Sequence, residues 1–375
     1  MKKFIMHGIL LAMVFHPGIR CNGVPHPVVT TEFPICTESN DQERPAISGE
    51  KIVWQDYRDY GDFNGSRDIY LYDFGAKKET PICTEEYDQE RPVISGDRIV
   101  WQDYRNVGDS GWDIYMYDLA TGEETPICTA PRDQLYPAIS GDWIVWEDLR
   151  DSTSFTSITK IYMYDLSTGE ETQIGADSAR AFYPDISGDR IVWEDFRNGN
   201  WDIYMYDLAT GEETPICTDW QFQEHPQISG DRIVWQDSRN SNWDIYMYDL
   251  ATGKETPICT RSGSTHELPA ISSGGRIVWQ DNRNDGDWDI YMYDINTGQE
   301  APICTIVGAQ REPDISEWEG QCMIVWKDYR NYSSDINAGY DIYLCTLSQM
   351  GIGPGLDEGR GQPLTLNTSM VGVLK

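Results

Sequence analysis

One phrase recurs seven times along this chain and leaves few folds open to it. Its core reads Pro-x-Ile-Ser-Gly-Asp-Arg-Ile-Val-Trp-Gln-Asp-x-Arg, followed after a variable stretch by Asp-Ile-Tyr-Met-Tyr-Asp-Leu-Ala-Thr-Gly-Glu-Glu-Thr-Pro-Ile-Cys-Thr. The triplet Ile-Val-Trp sets Trp54, Trp101, Trp146, Trp193, Trp235, Trp279 and Trp326 at intervals of 42 to 47 residues. A period in this range, built of several short strand-like runs, is the mark of propeller blades.

Each unit holds four such runs, rich in the Ile, Val, Tyr and Trp that favour a packed sheet surface. Ser-Gly-Asp makes a tight turn between the first two, and Leu-Ala-Thr-Gly between the last two. Proline supports the order, because it lacks a ladder donor and belongs on edge strands or strand starts. It sits in the first run of every unit (Pro45 and Pro92, for example) and recurs in the fourth (Pro81, Pro126), never in the middle two. The seventh unit lacks its own Thr-Pro-Ile-Cys-Thr, and the N-terminal part supplies a spare copy, Phe33-Pro34-Ile35-Cys36-Thr37. The expected fold is therefore all-β: a seven-bladed β-propeller, four antiparallel strands per blade, sealed by an N-terminal strand that completes the last blade.

The propeller is expected over residues 31–346, with a signal peptide at 1–23, a linker at 24–30 and a Gly-rich tail at 347–375. Lys2 and Lys3 precede a twelve-residue apolar run at 4–15, too short to span a bilayer and suited to an export signal. An A-x-A cleavage site is missing, and Cys21 follows a poor lipobox. The chain is expected at the cell surface, in the periplasm or outside the cell, as a monomer with no later membrane span. Its formal charge of -33 argues against nucleic acid and anionic lipid as partners. Sequons at Asn64, Asn331 and Asn367 leave glycosylation open.

The phrase Pro-x-Ile-Ser-Gly-Asp, the Ile-Val-Trp triplet, the following Asp-x-Arg and Asp-Ile-Tyr-x-Tyr-Asp resemble the WD40-like PD40 repeat of TolB-type propellers. The resemblance covers 31–346. It is similar to cell-surface propeller proteins of archaea and bacteria, with the family's Ser-Pro-Asp-Gly turn shortened here to Ser-Gly-Asp. It implies a propeller that mostly binds proteins, with some relatives acting on sugars, and it specifies fold far better than function.

The tight-turn face is nearly uniform around the ring, whereas the opposite loop face varies, so binding is expected on the loop face near the axial channel. The residues before each inner-strand proline should ring that mouth. They include Arg44, Arg91, Tyr136, Phe182, Tyr183, Glu224, His225, Glu267 and Arg311, with Trp220 and Phe222 in an adjoining loop. Aromatic rings beside carboxylates suit a glycan or a peptide. The Asp-x-Arg pairs, repeated seven-fold, are expected to be structural ties. His225 and His266 are weak metal candidates with Glu224 or Glu267, and the Asp/Asn-rich loop 195–202 is a weak calcium candidate. Otherwise no cofactor is expected. Cys322 and Cys345, on neighbouring strands of the last blade, are expected to form a disulfide. The repeated Cys36, Cys83, Cys128, Cys217, Cys259 and Cys304 read as small buried hydrophobes.

With no catalytic motif in view, the sequence favours an exported, non-catalytic binding or scaffold propeller for a protein or glycan. The alternatives are a polysaccharide or oligosaccharide lyase or hydrolase with a channel-mouth site, and a purely structural envelope component.

Overall fold

The computed structural model describes residues 29–58, 66–106, 111–153, 156–175, 180–284, 286–331 and 339–348. The leader, most of the linker, the tail beyond 348, Cys21, Asn64 and Asn367 lie outside them. Each repeat forms one four-stranded antiparallel sheet, seven in all. In blade one the inner strand is Gln42–Ser48, the second Lys51–Asp56, the third Asp68–Asp73 and the outer Lys78–Cys83. The inner strands pack side by side around one axis, and the first touches the last. The N-terminal strand Val29–Cys36 pairs antiparallel with Asp341–Ser348 and is the outer strand of blade seven. Glu32 on that strand takes Arg330 at 2.8 Å, the position Glu79 holds toward Arg58 in blade one.

Proline occupies the inner and outer strands, and the second and third strands carry the core. Ile52, Val53 and Trp54 are fully buried, as are their counterparts in every blade, because each sheet is covered on both faces by its neighbours. No helix among the described residues is long and apolar enough to cross a membrane.

The Asp-x-Arg pairs are ties, as their seven-fold recurrence requires. Each Asp is buried and accepts the indole N–H of the Trp two residues before it, at 2.8 to 3.0 Å. The Arg two residues on binds the same carboxylate, at 2.5 or 2.6 Å in six blades. Its guanidinium lies over a Tyr of the third strand, 3.9 to 4.2 Å from the ring centroid, and reaches a Glu of the outer strand. It also donates to the repeated cysteine of the preceding blade: Arg105 Nη2 stands 3.0 Å from Cys83 Sγ and Arg239 Nη2 3.1 Å from Cys217 Sγ. These thiols are therefore more than small hydrophobes, since they accept a hydrogen bond that crosses the blade interface. Burial raises the thiol of Cys83 to about 12.

The disulfide expectation is corrected by register. Cys322 stands opposite Leu347, and Cys345 opposite Ile324, two residues out of step. Both are free, buried thiols. The Asn331 amide is engaged as well, donating to Asp341 at 2.7 Å and to the Tyr343 hydroxyl at 2.9 Å.

Two outcomes follow from this packing. Removing a tie leaves Arg239 and the Trp235 N–H without their buried acceptor, so Asp237→Ala should cost about 3–5 kcal/mol of unfolding free energy in urea; a cost below about 1 kcal/mol would contradict the role. A thiol titration of the denatured chain should count Cys322 and Cys345 as reduced, with the melting temperature indifferent to reductant.

Candidate functional site

The channel mouth is built by a backbone feature the sequence did not announce. The residue before each inner-strand proline has a positive φ: Arg44, Arg91, Tyr136, Tyr183, His225, Leu268 and Glu312 all lie between 49° and 53°. None is glycine, so each position carries strain of about 1–3 kcal/mol. The inner strand breaks register at the same place in every blade, between Glu43 and Ala46 in the first. Such a bulge redirects a side chain, and here it sets seven varied side chains around the axis.

A side chain from the preceding blade holds each strained residue. The residue after the core Trp reaches across and accepts its backbone N–H. Gln55 serves Arg91 at 3.0 Å, Gln102 serves Tyr136 at 3.1 Å, Gln236 serves Leu268 at 3.1 Å and Gln280 serves Glu312 at 3.2 Å. In those blades the Gln amide also donates to a strand-one Glu, as Gln236 does to Glu224 and Gln280 to Glu267. Blade seven carries Lys327, a cation that cannot accept. It binds Glu43 at 3.1 Å and Glu312 at 3.0 Å, and Glu312 takes over the Arg44 N–H.

Blades three and four depart from this scheme together. Their core phrase reads Trp-Glu-Asp, placing Glu147 and Glu194 where Gln stands elsewhere. Glu147 accepts the Tyr183 N–H at 2.8 Å, and Glu194 the His225 N–H at 2.6 Å. Their cross-strand partners are no longer Glu but the apolar Leu135 and Phe182. Each residue is 2% exposed, and among the described residues no side-chain amide of its own blade donates to its carboxyl. Burial raises Glu147 to about 8, against the opposing pull of the Tyr183 N–H and Arg91. Burial also raises Glu194 well above its ordinary range, with Glu224 and Glu147 adding to the effect. Both carboxyls thus hold a proton more tightly than an ordinary Glu, the condition of a carboxyl set beside apolar groups.

Above them stands a continuous cluster. The Arg91 guanidinium lies 3.9 Å from the centroid of the Tyr136 ring. Tyr136 and Tyr183 meet edge to face at 4.4 Å, and the Tyr183 hydroxyl is 3.3 Å from that of Tyr136. Tyr183 meets His225 at 4.5 Å. Burial, then the nearby Arg44 and Arg91, lowers His225 to about 4, so its imidazole is neutral. Burial works to raise Glu312, but Lys327 and Arg44 overcome it and hold that carboxylate ionised. Arg44 pairs with Glu312 at 3.3 Å. Arg91 has no carboxylate at ion-pair distance among the described residues. The mouth of this acidic protein thus presents an unpaired cation. One axis-facing position further along the inner strands, burial raises Asp185 to about 7 and Asp314 to about 6.

The structure brings Arg44, Arg91, Tyr136, Tyr183 and His225 together and leaves other candidates outside. Phe182 packs on Trp201 at 5.1 Å, and Arg311 lies over Trp288. Glu224 and Glu267 are bound to their glutamines. Trp220 and Phe222 are exposed in the loop before the blade-five inner strand. Sequence reasoning missed Glu147 and Glu194, although the change from Trp-Gln-Asp to Trp-Glu-Asp in two of seven repeats was there to find. In loop 195–202 Asn198 and Asn200 turn amide nitrogens on Asp202, at 2.6 and 2.9 Å, so those side-chain oxygens do not converge on a cation.

His225 and His266 do not share a metal site. His225 lies in the mouth, whereas His266 is buried between blades five and six. There its ring, the Cys259 sulfur and an Asp281 oxygen offer three ligand atoms within 4.8 Å of one another. A sulfur, nitrogen and oxygen set suits a zinc-like ion better than manganese or calcium.

No described protein family matches the sequence, and no curated protein does. Solved structures share its fold. A mutant of puromycin hydrolase aligns with 82% of this chain and 52% of its own (TM-score 0.61, 13% identity). Oligogalacturonate lyase in complex with manganese aligns over 86% and 94% (TM-score 0.55, 15% identity). The propeller domain of the Trilobed protease from Pyrococcus furiosus, described as having an open velcro topology, aligns over 82% and 95% (TM-score 0.61, 15% identity). The chain shares the propeller fold of these proteins. It spans about half the length of puromycin hydrolase, and its own ring is closed by the N-terminal strand. The expectation of a non-catalytic scaffold is corrected here. Carboxyls held above their ordinary range beside a neutral imidazole at the mouth, and a buried donor set able to hold a metal ion, occur on a fold that lyases and hydrolases also use.

Protonation links the mouth to stability. Glu147 stays protonated in the fold while the unfolded chain ionises above pH 4.5, so stability is full below that pH and falls as pH rises to about 8. Glu147→Gln, the residue found at this place in four other blades, should remove that loss, on the order of 4–5 kcal/mol. In urea unfolding, the gap between variant and wild type should widen from pH 5 to pH 8; a constant gap would refute the assignment.

Proposed function

We propose that this protein is a carbohydrate-active enzyme, an oligosaccharide lyase or hydrolase, whose site is the channel mouth at Arg91, Tyr136, Glu147, Tyr183, Glu194 and His225. The observation that carries the reading is the pair of buried carboxyls, Glu147 and Glu194, with raised proton affinity, beneath an aromatic platform and beside a neutral imidazole. In either reaction the departing glycosidic oxygen needs a proton, and Glu147 carries one near neutral pH. In elimination, His225 is the group able to take the proton beside a uronate carboxylate. The electrons of that C–H bond form the new double bond as the C–O bond breaks. In hydrolysis, His225 orients or deprotonates water instead. Tyr136 and Tyr183 offer ring faces and edges for stacking against a sugar.

Arg91 narrows the substrate to an acidic sugar. An enclosed guanidinium without an ion pair is costly, and a substrate carboxylate supplies the missing charge. The name and whole-length alignment of oligogalacturonate lyase support the same direction. The repeat phrase supports placing the chain among TolB-type propellers. The leader-like start at 1–23 and the acidic surface support export to the cell surface, the periplasm or the extracellular space.

A panel of oligouronates and neutral oligosaccharides tests the proposal, following ultraviolet absorbance for an unsaturated product and reducing ends for hydrolysis. Cleavage of an oligouronate is expected. Glu147→Gln should lower kcat by about 100-fold or more with the fold intact, and Arg91→Leu, the residue type blade six carries there, should chiefly raise KM. No cleavage anywhere in the panel, or wild-type rates in Glu147→Gln and His225→Leu, would overturn it.

A further inference from the structure

The blade five–six interface differs from the others at one buried position. The first inner-strand residue is Gln42, Gln89, Gln134, Gln223 or Gln310 in five blades and Ala181 in a sixth, but His266 in blade six. Each Gln donates its amide to the carbonyl two residues before it: Asn40 at 3.0 Å, Tyr87 at 2.7 Å, Arg132 at 2.8 Å, Gln221 at 2.9 Å and, for Gln310, Gly308. Blade six changes that neighbour too. The residue two before His266 is Ser264, itself buried, and its hydroxyl rather than its carbonyl meets His266 Nε2 at 3.0 Å.

His266 Nδ1 lies 3.0 Å from the Trp243 carbonyl, which can only accept. That bond calls for a proton on Nδ1, which also faces an Asp244 oxygen at 3.5 Å, and it turns Nε2 toward Asp281. The same arrangement orients ligating histidines in metal sites. The Ser264 hydroxyl lies within reach of both Nε2 and the Arg261 carbonyl, the latter at 3.2 Å. Nε2 stands 3.5 Å from an Asp281 oxygen and within 4.8 Å of the Cys259 sulfur. The nitrogen–oxygen spacing is of the order that separates neighbouring ligands around a tetrahedral ion with bonds of about 2.0 Å, and the sulfur closes to a metal–sulfur distance of about 2.3 Å on binding.

We propose that Cys259, His266 and Asp281 bind a single zinc-class divalent ion that staples blade five to blade six. Cys259 ends the outer strand of blade five, Lys254–Cys259, while His266 and Asp281 belong to the inner and second strands of blade six. One ion therefore joins elements of two sheets at the point where other interfaces carry the guanidinium-to-thiol hydrogen bond. The Ser264 hydroxyl or a water completes four-fold coordination. Binding releases the Cys259 proton, and the thiolate with Asp281 balances the two charges of the ion. Arg283, whose own charge is met by Glu300, hydrogen-bonds both Cys259 and Asp281 and serves as an outer partner to the ligands. All three ligands are buried, which suits a closed structural site and not one that meets substrate. The site stands apart from the channel mouth and does not rest on the sugar chemistry proposed there.

The full-length chain, stripped by a chelator, is titrated with Co2+ and then Zn2+. A thiolate-to-cobalt charge-transfer band saturating at a single ion per chain, displaced by Zn2+, is expected, together with a melting temperature that rises with Zn2+ concentration. His266→Gln installs the residue five blades already carry, so its circular dichroism should match wild type. Binding should nevertheless weaken by about 100-fold or more, beyond the 10–100-fold typical of losing only an outer partner. Cys259→Ser should abolish the band. No thiolate band in the wild type, or the same band and stoichiometry in His266→Gln, would overturn the proposal and leave His266 as a hydrogen-bonding replacement for glutamine.

Discussion

A buried carboxylate repeated seven times holds this ring together. Taking a charged Asp out of water is costly, and the structure offsets that cost by surrounding it with an indole N–H, a backbone N–H and a guanidinium. The guanidinium is itself held by a Glu of the outer strand, a Tyr ring and the thiol of the neighbouring blade. One residue thus ties the second, third and outer strands of its own sheet and reaches the preceding one. In blade four the preceding blade has Gly175 in place of the cysteine, and the remaining partners still hold Arg197 to Asp195. The tie is robust to loss of one partner because its energy is spread over several.

On that frame the mouth can vary. Each inner strand enters through a strained left-handed residue whose N–H is held by the preceding blade. The strain belongs to the backbone and recurs in every blade, so the side chain at that position is free to be Arg, Tyr, His, Leu or Glu. The supporting group is less free, since it must accept a hydrogen bond. Glutamine does so as a neutral amide. Glutamate in blades three and four does so while bringing an acid into an apolar setting, opposite Leu135 or Phe182, where burial raises its hold on the proton. Lysine in blade seven cannot accept, and Glu312 compensates.

Deviations between repeats are therefore more informative than the repeats. The phrase common to all blades is consumed by structure: core, turns and ties. What is left for chemistry is where one blade breaks the pattern its neighbours keep. Trp-Glu-Asp at Glu147 and Glu194 is one such break, and His266 with Ser264 is another. Both lie in plain view in an alignment of the chain against itself. Their meaning is hidden there, because an acid in place of glutamine reads as a conservative change until its burial is known.

The sequence by itself determined the number of blades, their four strands, the sealing role of the N-terminal strand and the structural nature of the Asp-x-Arg pairs. Periodicity and proline placement are local properties of the chain, and they leave one arrangement open. Tertiary structure alone decided which side chains meet. A mouth residue such as Tyr183 is supported from a different blade, 36 residues earlier in the chain. The two histidines, similar in sequence position, are separated into a channel and a blade interface. Register, fixed by side chains across the sheet, placed Cys322 and Cys345 two residues out of step. Proton affinities at Glu147 and His225 depend on desolvation by atoms from several blades, a quantity no local pattern encodes.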